Sequence, residues 1–340
     1  MRCAVFGTRS FDETSLARAG AGRVEFAFFK PNLSSQTAAL AQGCALACLV
    51  VGDDGGRSSL QALKRAGVRG IALRSAGYNH VDLVAAYELG LPVLRVPSYS
   101  PSSVAEHAAA LLLTLDRKVH RAYNRVREHN FSIEGLLGQG LHGRTVGIVG
   151  LGQIGAAFAR IMAGFGCRLL GLDPAEPEEA RALGVRFVDR ETLFRESFVV
   201  SLHCPLVPAT RHLVGEAELQ SMPPSAYLIN TSRGAVVDHA ALVRVLKQGR
   251  IGGVGLDVYE EEEGVFFHDL SDQVLEDDQL ARLLTFPNVI ITAHQGFFTQ
   301  PALDAIAEQT VQNLLWLDGG SWPAEFEVSA KTHMPGGTAP

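Results

Sequence analysis

Short apolar runs alternate with amphipathic segments of helical length along almost the whole chain, from CAVFG (3–7) to NVIITA (288–293). That alternation is the pattern of a parallel sheet covered by helices on both faces. In the first hundred residues the runs predicting strands are 3–7, 24–29, 45–52, 70–74 and 92–96, each ending at or closely followed by Gly, Pro or Asp punctuation. The cluster PSYSPS (97–102) reads as a connector. A long helix is predicted over about 102–128, apolar through Val104, Ala108, Leu111, Leu112 and Leu115 and then strongly charged. A second series begins at Thr145, with strands predicted at 145–150, 168–173, 198–203, 226–231, 252–257 and 288–293. Six strands with helices between them match a complete dinucleotide-binding unit. Within it, Asp238 can N-cap a helix whose apolar face is Leu242, Val245 and Leu246, and Gly249 ends it.

A last helix, about 300–317, exceeds what the second sheet needs and is expected to return to the first domain. The expected fold is therefore α/β, with two Rossmann-like doubly wound parallel-sheet domains, the second inserted into the first. The boundaries expected are 1–100 with 295–330 for a substrate domain, 101–294 for an NAD-binding domain, and 331–340 for a flexible tail. Composition agrees with a folded chain: 340 residues, 47% apolar and 19% charged. A net charge of -6 offers no basic footprint for nucleic acid or an anionic membrane. No apolar run is long enough to suggest a transmembrane helix, and MRCAVFGTRSFD turns polar too soon for a secretory signal. The five scattered cysteines read as free thiols in a reducing compartment, so a cytoplasmic location is expected. Cys44 and Cys48, the closest pair, lack zinc spacing, and no metal is expected.

The strongest motif is Gly150-Leu151-Gly152-Gln153-Ile154-Gly155, which follows the apolar run TVGIVG and opens an Ala/Ile-rich helix. The first glycine suits a tight turn, the second a close approach to a pyrophosphate, and the third tight helix–strand packing. The next strand ends in Asp173, 18 residues beyond Gly155. A carboxylate there can accept from ribose hydroxyls and repels a 2′-phosphate, so the expected cofactor is NAD rather than NADP.

Three ionisable residues follow strands of the same series: Arg233 after AYLINTS, Glu262 after GGVGLDVYE, and His294 after NVIITA. Ligands bind outside the carboxyl ends of strands in an open parallel sheet, so the three are expected on the nucleotide edge. Reduction of a 2-keto acid needs a cation for the carboxylate and carbonyl and an acid for the developing alkoxide. Arginine's planar fork suits the first, and histidine suits the second, with a carboxylate to orient it. Taken singly, each residue has a blander explanation: a surface arginine, a solvated EEEE run, a structural histidine. In the first domain, Ser75-Ala76-Gly77-Tyr78-Asn79 can form a small anion nest, and Tyr99 lies on the connector.

With these residues in view, the chain resembles the D-isomer-specific 2-hydroxyacid dehydrogenases, most of all their fermentative D-lactate dehydrogenase branch. The resemblance runs over about 1–325 through RSAGYNHVDL (74–83), VPSYSPSSVAEHAAALLL (96–113), GIVGLGQIG (147–155), SLHCPLVPATRHL (201–213), INTSRGAVVD (229–238), GLDVYEEEEGVFFHD (255–269) and ITAHQGFF (291–298). It implies that Arg233 binds and polarises substrate, that His294 is the acid/base and that Glu262 is its partner. It implies substrate contacts from the N–H groups of Ala76 and Gly77, from Tyr99 and from Phe297. It implies NAD contacts from Gln153, Ile154, Asp173, His203, Cys204, Pro205, Thr231 and Asp257. The implied activity is reversible hydride transfer between NADH and pyruvate in a homodimer or larger homo-oligomer, with helix 102–128 and the loop after it at the interface. The sequence departs from the family at Val207, where Thr is usual, and in its pair Phe297-Phe298. Two other readings stay open here: a dehydrogenase of a bulkier 2-keto acid, and an NAD-sensing or corepressor-like binding protein.

Overall fold

The computed structural model describes residues 1–330; the tail expected at 331–340 lies outside the described residues. The chain forms two compact units, one from Met1–Ser100 with the described residues from Phe298 onward, 298–330, the other from Pro101–Phe297. The second is thus inserted into the first, each built on a parallel sheet. The sequence expectation put the return to the first domain at 295. Residues 295–297 instead stay with the second unit, where the N–H groups of Gln295 and Gly296 donate to Asp257.

The first unit contains strands β1 (Arg2–Val5), β2 (Glu25–Phe28), β3 (Leu46–Leu49), β4 (Ile71–Leu73) and β5 (Val93–Leu94) in the order β2-β1-β3-β4-β5. Its helices are α1 (Ser10–Gly20), α2 (Arg57–Arg65), α3 (Leu83–Glu88) and, from the returning segment, α12 (Gln300–Gly319). Alternate strand residues serve opposite faces. Ala4, Ala47, Leu49, Ile71 and Leu73 join one core, while Cys3, Val5, Leu46, Cys48 and Ala72 join the other. Ala307, Val311, Leu314 and Leu317 of α12 complete the second core. That apolar face fixes where the last helix belongs, since burying each large side chain contributes roughly 1.5–3 kcal/mol.

The second unit holds α4 (Pro101–Arg117), α5 (Val119–Arg127) and the strands β6 (Thr145–Val149), β7 (Arg168–Leu172), β8 (Arg186–Phe187), β9 (Val199–Leu202), β10 (Tyr227–Asn230), β11 (Gly253–Leu256) and β12 (Val289–Ile291). Their order is β12-β11-β10-β9-β6-β7-β8, a seven-stranded sheet. The helices between are α6 (Gln153–Gly164), α7 (Glu178–Ala182), α8 (Arg190–Glu196), α9 (Glu216–Ser221), α10 (His239–Lys247) and α11 (Asp278–Leu284). Here too the strands split their side chains, Val200, Leu202, Leu228, Val254 and Leu256 to one core, Val146, Ile148, Val199 and Ile229 to the other. As the sequence predicts, Asp238 caps α10, accepting from the Ala241 N–H, and Gly249 past its end has φ +65°.

Two expectations need correction. Six strands were expected and seven are present, because β8 is only two residues long, too short for any periodicity to reveal. The single helix expected over 102–128 breaks at Lys118, whose φ is +50°. Asp116, buried at 1% exposure, accepts from the N–H groups of Gln139 and Gly140, which anchors the end of α4. Helix α5 then runs on with no buried residue. Among the described residues, no helix is long and apolar enough to cross a membrane.

Candidate active site

Six residues stand one step past the carboxyl ends of six neighbouring strands. Across the sheet they are Thr292, Asp257, Thr231, His203, Gly150 and Asp173, following β12, β11, β10, β9, β6 and β7. Strand order, invisible in a linear sequence, makes them one row.

At one end of the row lies the glycine loop. Gly150 has φ +85°, a region costly for any residue with a Cβ, and a Cβ there would also come within 2.6 Å of the Cys204 nitrogen. A Cβ on Gly155 would lie 2.0 Å from the Gly150 carbonyl oxygen, so this glycine sets the packing of α6 on β6. Gly152 is different: a Cβ there meets nothing within 4 Å. It is the N-cap of α6, with no side chain capping the helix and Gln153 and Ile154 in the first turn. The start of a twelve-residue helix, capped by no side chain and beside open space, fits a pyrophosphate. Asp173 is fastened to the same loop, its Oδ2 accepting the Leu151 N–H at 2.7 Å. The other expected cofactor residues differ in how they are presented. Cys204 is buried, and burial pushes its thiol up to about 11. Pro205 is exposed. The His203 ring turns inward, 5.0 Å from Phe158 and 2.9 Å from Ser201 Oγ, and burial pushes its pKa down to about 3, so it is neutral. Its backbone, not its ring, borders Gly150. The Thr231 hydroxyl is buried with no hydrogen-bond partner among the described residues.

At the other end lie the three ionisable residues. His294 Nδ1 stands 2.8 Å from Glu262 Oε1. A carboxylate only accepts, so Nδ1 carries the hydrogen and donates, leaving Nε2 as the nitrogen for chemistry. Glu262 is steadied by the Tyr259 N–H, which donates to Oε2 at 3.2 Å. His294 has φ +52°, an uncommon conformation for a residue with a side chain. Its own N–H donates to the carbonyls of Asp257 and Thr292. Phe267, also at positive φ, lies tilted against the His294 ring at 6.0 Å.

Arg233 is extended, half-buried and held by its turn. The buried Asn230 side chain donates to the Arg233 carbonyl and accepts the Ser232 N–H and hydroxyl. Next to it, a Cβ on Gly234 would lie 2.0 Å from the Tyr259 carbonyl carbon. That glycine lets the Arg233 turn press against the backbone leading into Glu262. Asp257, expected as a cofactor contact, is 2% exposed and has both oxygens occupied by protein donors. Burial raises its pKa, but hydrogen bonds from His107 and Thr292 outweigh that and hold it below the usual carboxylate range. His107, Asn230, Tyr259 and Phe267 were not singled out from the sequence; His107 and Phe267 meet partners distant in the chain, whereas Asn230 and the Tyr259 N–H make their bonds within turns.

In the first unit, the 75–79 loop is held by its neighbours. Ser75 Oγ donates to the Gly77 carbonyl at 2.7 Å, and Arg95 Nη1 donates to that of Ala76 at 3.0 Å. The Arg95 guanidinium also lies over the Tyr78 ring at 5.3 Å. Tyr99 is half-buried on the connector after β5. Phe297 remains in the second unit, whereas Phe298 belongs to the first, 4.8 Å from Phe11. No group of three or more His, Cys, Asp or Glu side chains able to hold a metal occurs among the described residues.

A doubly wound sheet with a glycine loop, an acid after the second strand and a His–Glu pair on one edge defines a nicotinamide-dinucleotide-dependent oxidoreductase. Comparison with known proteins narrows this. Residues 109–296 match the family described as D-isomer specific 2-hydroxyacid dehydrogenase, NAD binding domain. The chain is 48% identical over 321 residues to D-lactate dehydrogenase of Escherichia coli, covering 94% of this chain and 98% of that one. It is 48% identical over 318 residues to 2-hydroxyacid dehydrogenase A of Aspergillus oryzae, covering 92% and 91%. The apo-structure of the E. coli D-lactate dehydrogenase superposes with a TM-score of 0.89 at 46% identity, covering 96% of this chain and all of that one. The chain belongs to the D-isomer-specific 2-hydroxyacid dehydrogenases, and its cofactor is NAD.

Proposed function

We propose that this enzyme interconverts pyruvate and D-lactate. The observation that carries the chemistry is the 2.8 Å pair of His294 Nδ1 and Glu262 Oε1, which leaves one imidazole nitrogen free to exchange a proton. Its kinship with a D-lactate dehydrogenase over nearly the whole of both chains supports the substrate. NADH, when bound, supplies the hydride. Arg233 binds the substrate carboxylate and polarises its carbonyl, and His294 gives a proton from Nε2 to the developing alkoxide. Glu262 stabilises the imidazolium and holds its orientation. Gln153, Ile154 and Gly152 hold the pyrophosphate, and Asp173 selects NAD by repelling a 2′-phosphate. Through the row of strand ends, Thr231, Asp257 and the 203–205 backbone border the cofactor. Residues 1–100 with the returning segment are assigned as the substrate domain, with Ala76, Gly77 and Tyr99 as its substrate contacts. Phe297 limits the substrate to a short side chain.

The partner class is a small 2-keto or 2-hydroxy acid, and the location is the cytoplasm, in keeping with five cysteines that form no disulfide. The chain pairs with a second copy through α5 and the loop after it. Val119, Tyr123 and Val126 on α5 are all exposed, as are Phe131, Ile133 and Leu137, the last two at 83%. So much apolar surface in one segment supports that reading. A monomeric mass by light scattering would remove that assignment.

The function is tested by following NADH consumption with pyruvate, phenylpyruvate and hydroxypyruvate side by side, then assigning the lactate enantiomer. Pyruvate is expected to turn over fastest, giving D-lactate. Preference for phenylpyruvate, or an L-product, overturns the proposal.

A further inference from the structure

Helix α4 carries His107, whose Nε2 lies 2.9 Å from Thr292 Oγ1 and 3.2 Å from Asp257 Oδ1. The Thr292 hydroxyl is itself 2.6 Å from Asp257 Oδ1. A carboxylate can only accept, so the threonine proton points at Asp257 and its oxygen is left to accept from His107. Nε2 therefore faces acceptors on both sides and must carry a hydrogen. Asp257 then collects donors from His107, from the Thr292 hydroxyl, and from the N–H groups of Gln295 and Gly296 at 2.9 and 2.8 Å. Apart from His107, those donors come from residues on either side of His294. The Asp257 carbonyl also takes the His294 N–H, at 2.7 Å. The left-handed backbone at His294 is thus determined by one buried carboxylate, and His107 is the only imidazole bonded to it among the described residues.

We infer that His107 is a positioning residue for proton transfer, fixing Thr292 and Asp257 through Nε2–H so that the 292–296 turn aims the His294 ring. The inference rests on His294 as the acid/base. Among the described residues the hydrogen-bond partners of the His107 ring are Thr292 and Asp257 rather than the His294 ring or Glu262, so its effect falls on how often the imidazole is aligned when the reaction is attempted. Misplacement by as little as an ångström lowers turnover by about a hundredfold. Glutamine can present an amide N–H where the Nε2–H stands, whereas leucine fills space without donating.

The test uses the full-length enzyme and steady-state reduction of its preferred 2-keto acid, with NADH and with NADH deuterated at the transferred position. His107→Leu is expected to lower kcat about ten- to a hundredfold, with both KM values held within about twofold. The deuterium isotope effect is expected to grow as the chemical step becomes limiting, and His107→Gln to recover most of the loss. Thr292→Val, which removes the bridging hydroxyl without altering shape, is expected to reproduce the kcat loss, and it decides the matter if the leucine variant fails to fold. Normal kcat in either His107→Leu or Thr292→Val overturns the inference. So does a glutamine variant as impaired as leucine, or a loss confined to NADH affinity. His294→Asn is run beside them. Substantial turnover in that variant removes the acid/base reading itself, while its inactivity alongside a normal His107→Leu removes only the positioning role.

Discussion

The glycine loop and the His294 turn sit on the same edge of one sheet yet are built by opposite means. The glycine loop is mostly local: a strand, three glycines and a helix start within eleven residues carry its geometry, and the close approach of Gly155 to the Gly150 carbonyl enforces it, with only Gly150 also packed on a distant segment at Cys204. The His294 turn has a non-glycine residue in the left-handed region, held by hydrogen bonds to a carboxylate 37 residues earlier in the chain. On the proposed reading, the glycine loop accommodates backbone-bound phosphates and is best made without side chains, whereas the His294 turn aims a side chain and offsets the cost of its conformation with partners brought from elsewhere.

Glycine substitutions separate the two designs. Gly155→Ala is expected to have the largest effect, about 3 kcal/mol or more of stability. The clash at 2.0 Å is with backbone, which cannot rotate aside. Urea unfolding checks this, and a loss below about 1 kcal/mol would mean that α6 shifts easily on β6. Gly296→Ala comes next, at about 2 kcal/mol. Its Cβ would stand 2.9 Å from Asp257 Oδ2, a side-chain atom that can give, but only by disturbing the carboxylate that holds His294. Lower kcat with unchanged NADH affinity is the expected signature. Weakened NADH binding with normal kcat would show that the turn serves the cofactor instead.

A buried neutral histidine backs each design, His203 behind the glycine loop and His239 behind the Glu262 loop. His239 is 1% exposed and edge-on to Tyr259 at 4.7 Å, and burial pushes its pKa from 6.5 down to about 4. The unfolded chain binds a proton there more readily than the folded one. Stability from the neutral ring is therefore complete above pH 6.5 and is lost as pH falls toward 4. The loss is about 1.4 kcal/mol per pH unit. His239→Phe is expected to remove that much slope from stability measured by urea between pH 6.5 and 5. An unchanged slope would mean that His239 already binds its proton in the folded state.

The same contrast explains how much was legible in the sequence. Gly150, Gly152, Gly155 and Asp173 could be read because all four lie within one strand–turn–helix–strand stretch. Arg233, Glu262 and His294 could be placed on one edge because each follows a recognisable strand, and family resemblance selected Glu262 from four adjacent glutamates. The break at Lys118 was hidden, since the apolar spacing runs on past it and only the buried Asp116 ends α4. His107 reads in sequence as one more residue of an apolar helix. Its meaning depends on Asp257 and Thr292, 150 and more positions away, which only the packing of α4 against the sheet reveals. Asn230 was likewise invisible, because its bonds are made inside a turn rather than by pattern.

The smallest expected change in stability is the most informative about the cofactor. Gly152→Ala places a methyl where nothing lies within 4 Å, at a φ of -65° that alanine adopts freely. The folded chain is expected to lose only about 0.5–1 kcal/mol, the usual preference for glycine over alanine at an N-cap. If that space is where the pyrophosphate meets the backbone, the same methyl obstructs it, and NADH affinity should fall by about tenfold or more. Fluorescence titration with NADH, beside urea unfolding of the same preparation, separates the two quantities. Weak NADH binding in a stable protein ties the open position to the cofactor. Undiminished affinity would mean that the pyrophosphate is held elsewhere along the start of α6, and that the glycine loop, like the His294 turn, serves mainly to aim other groups.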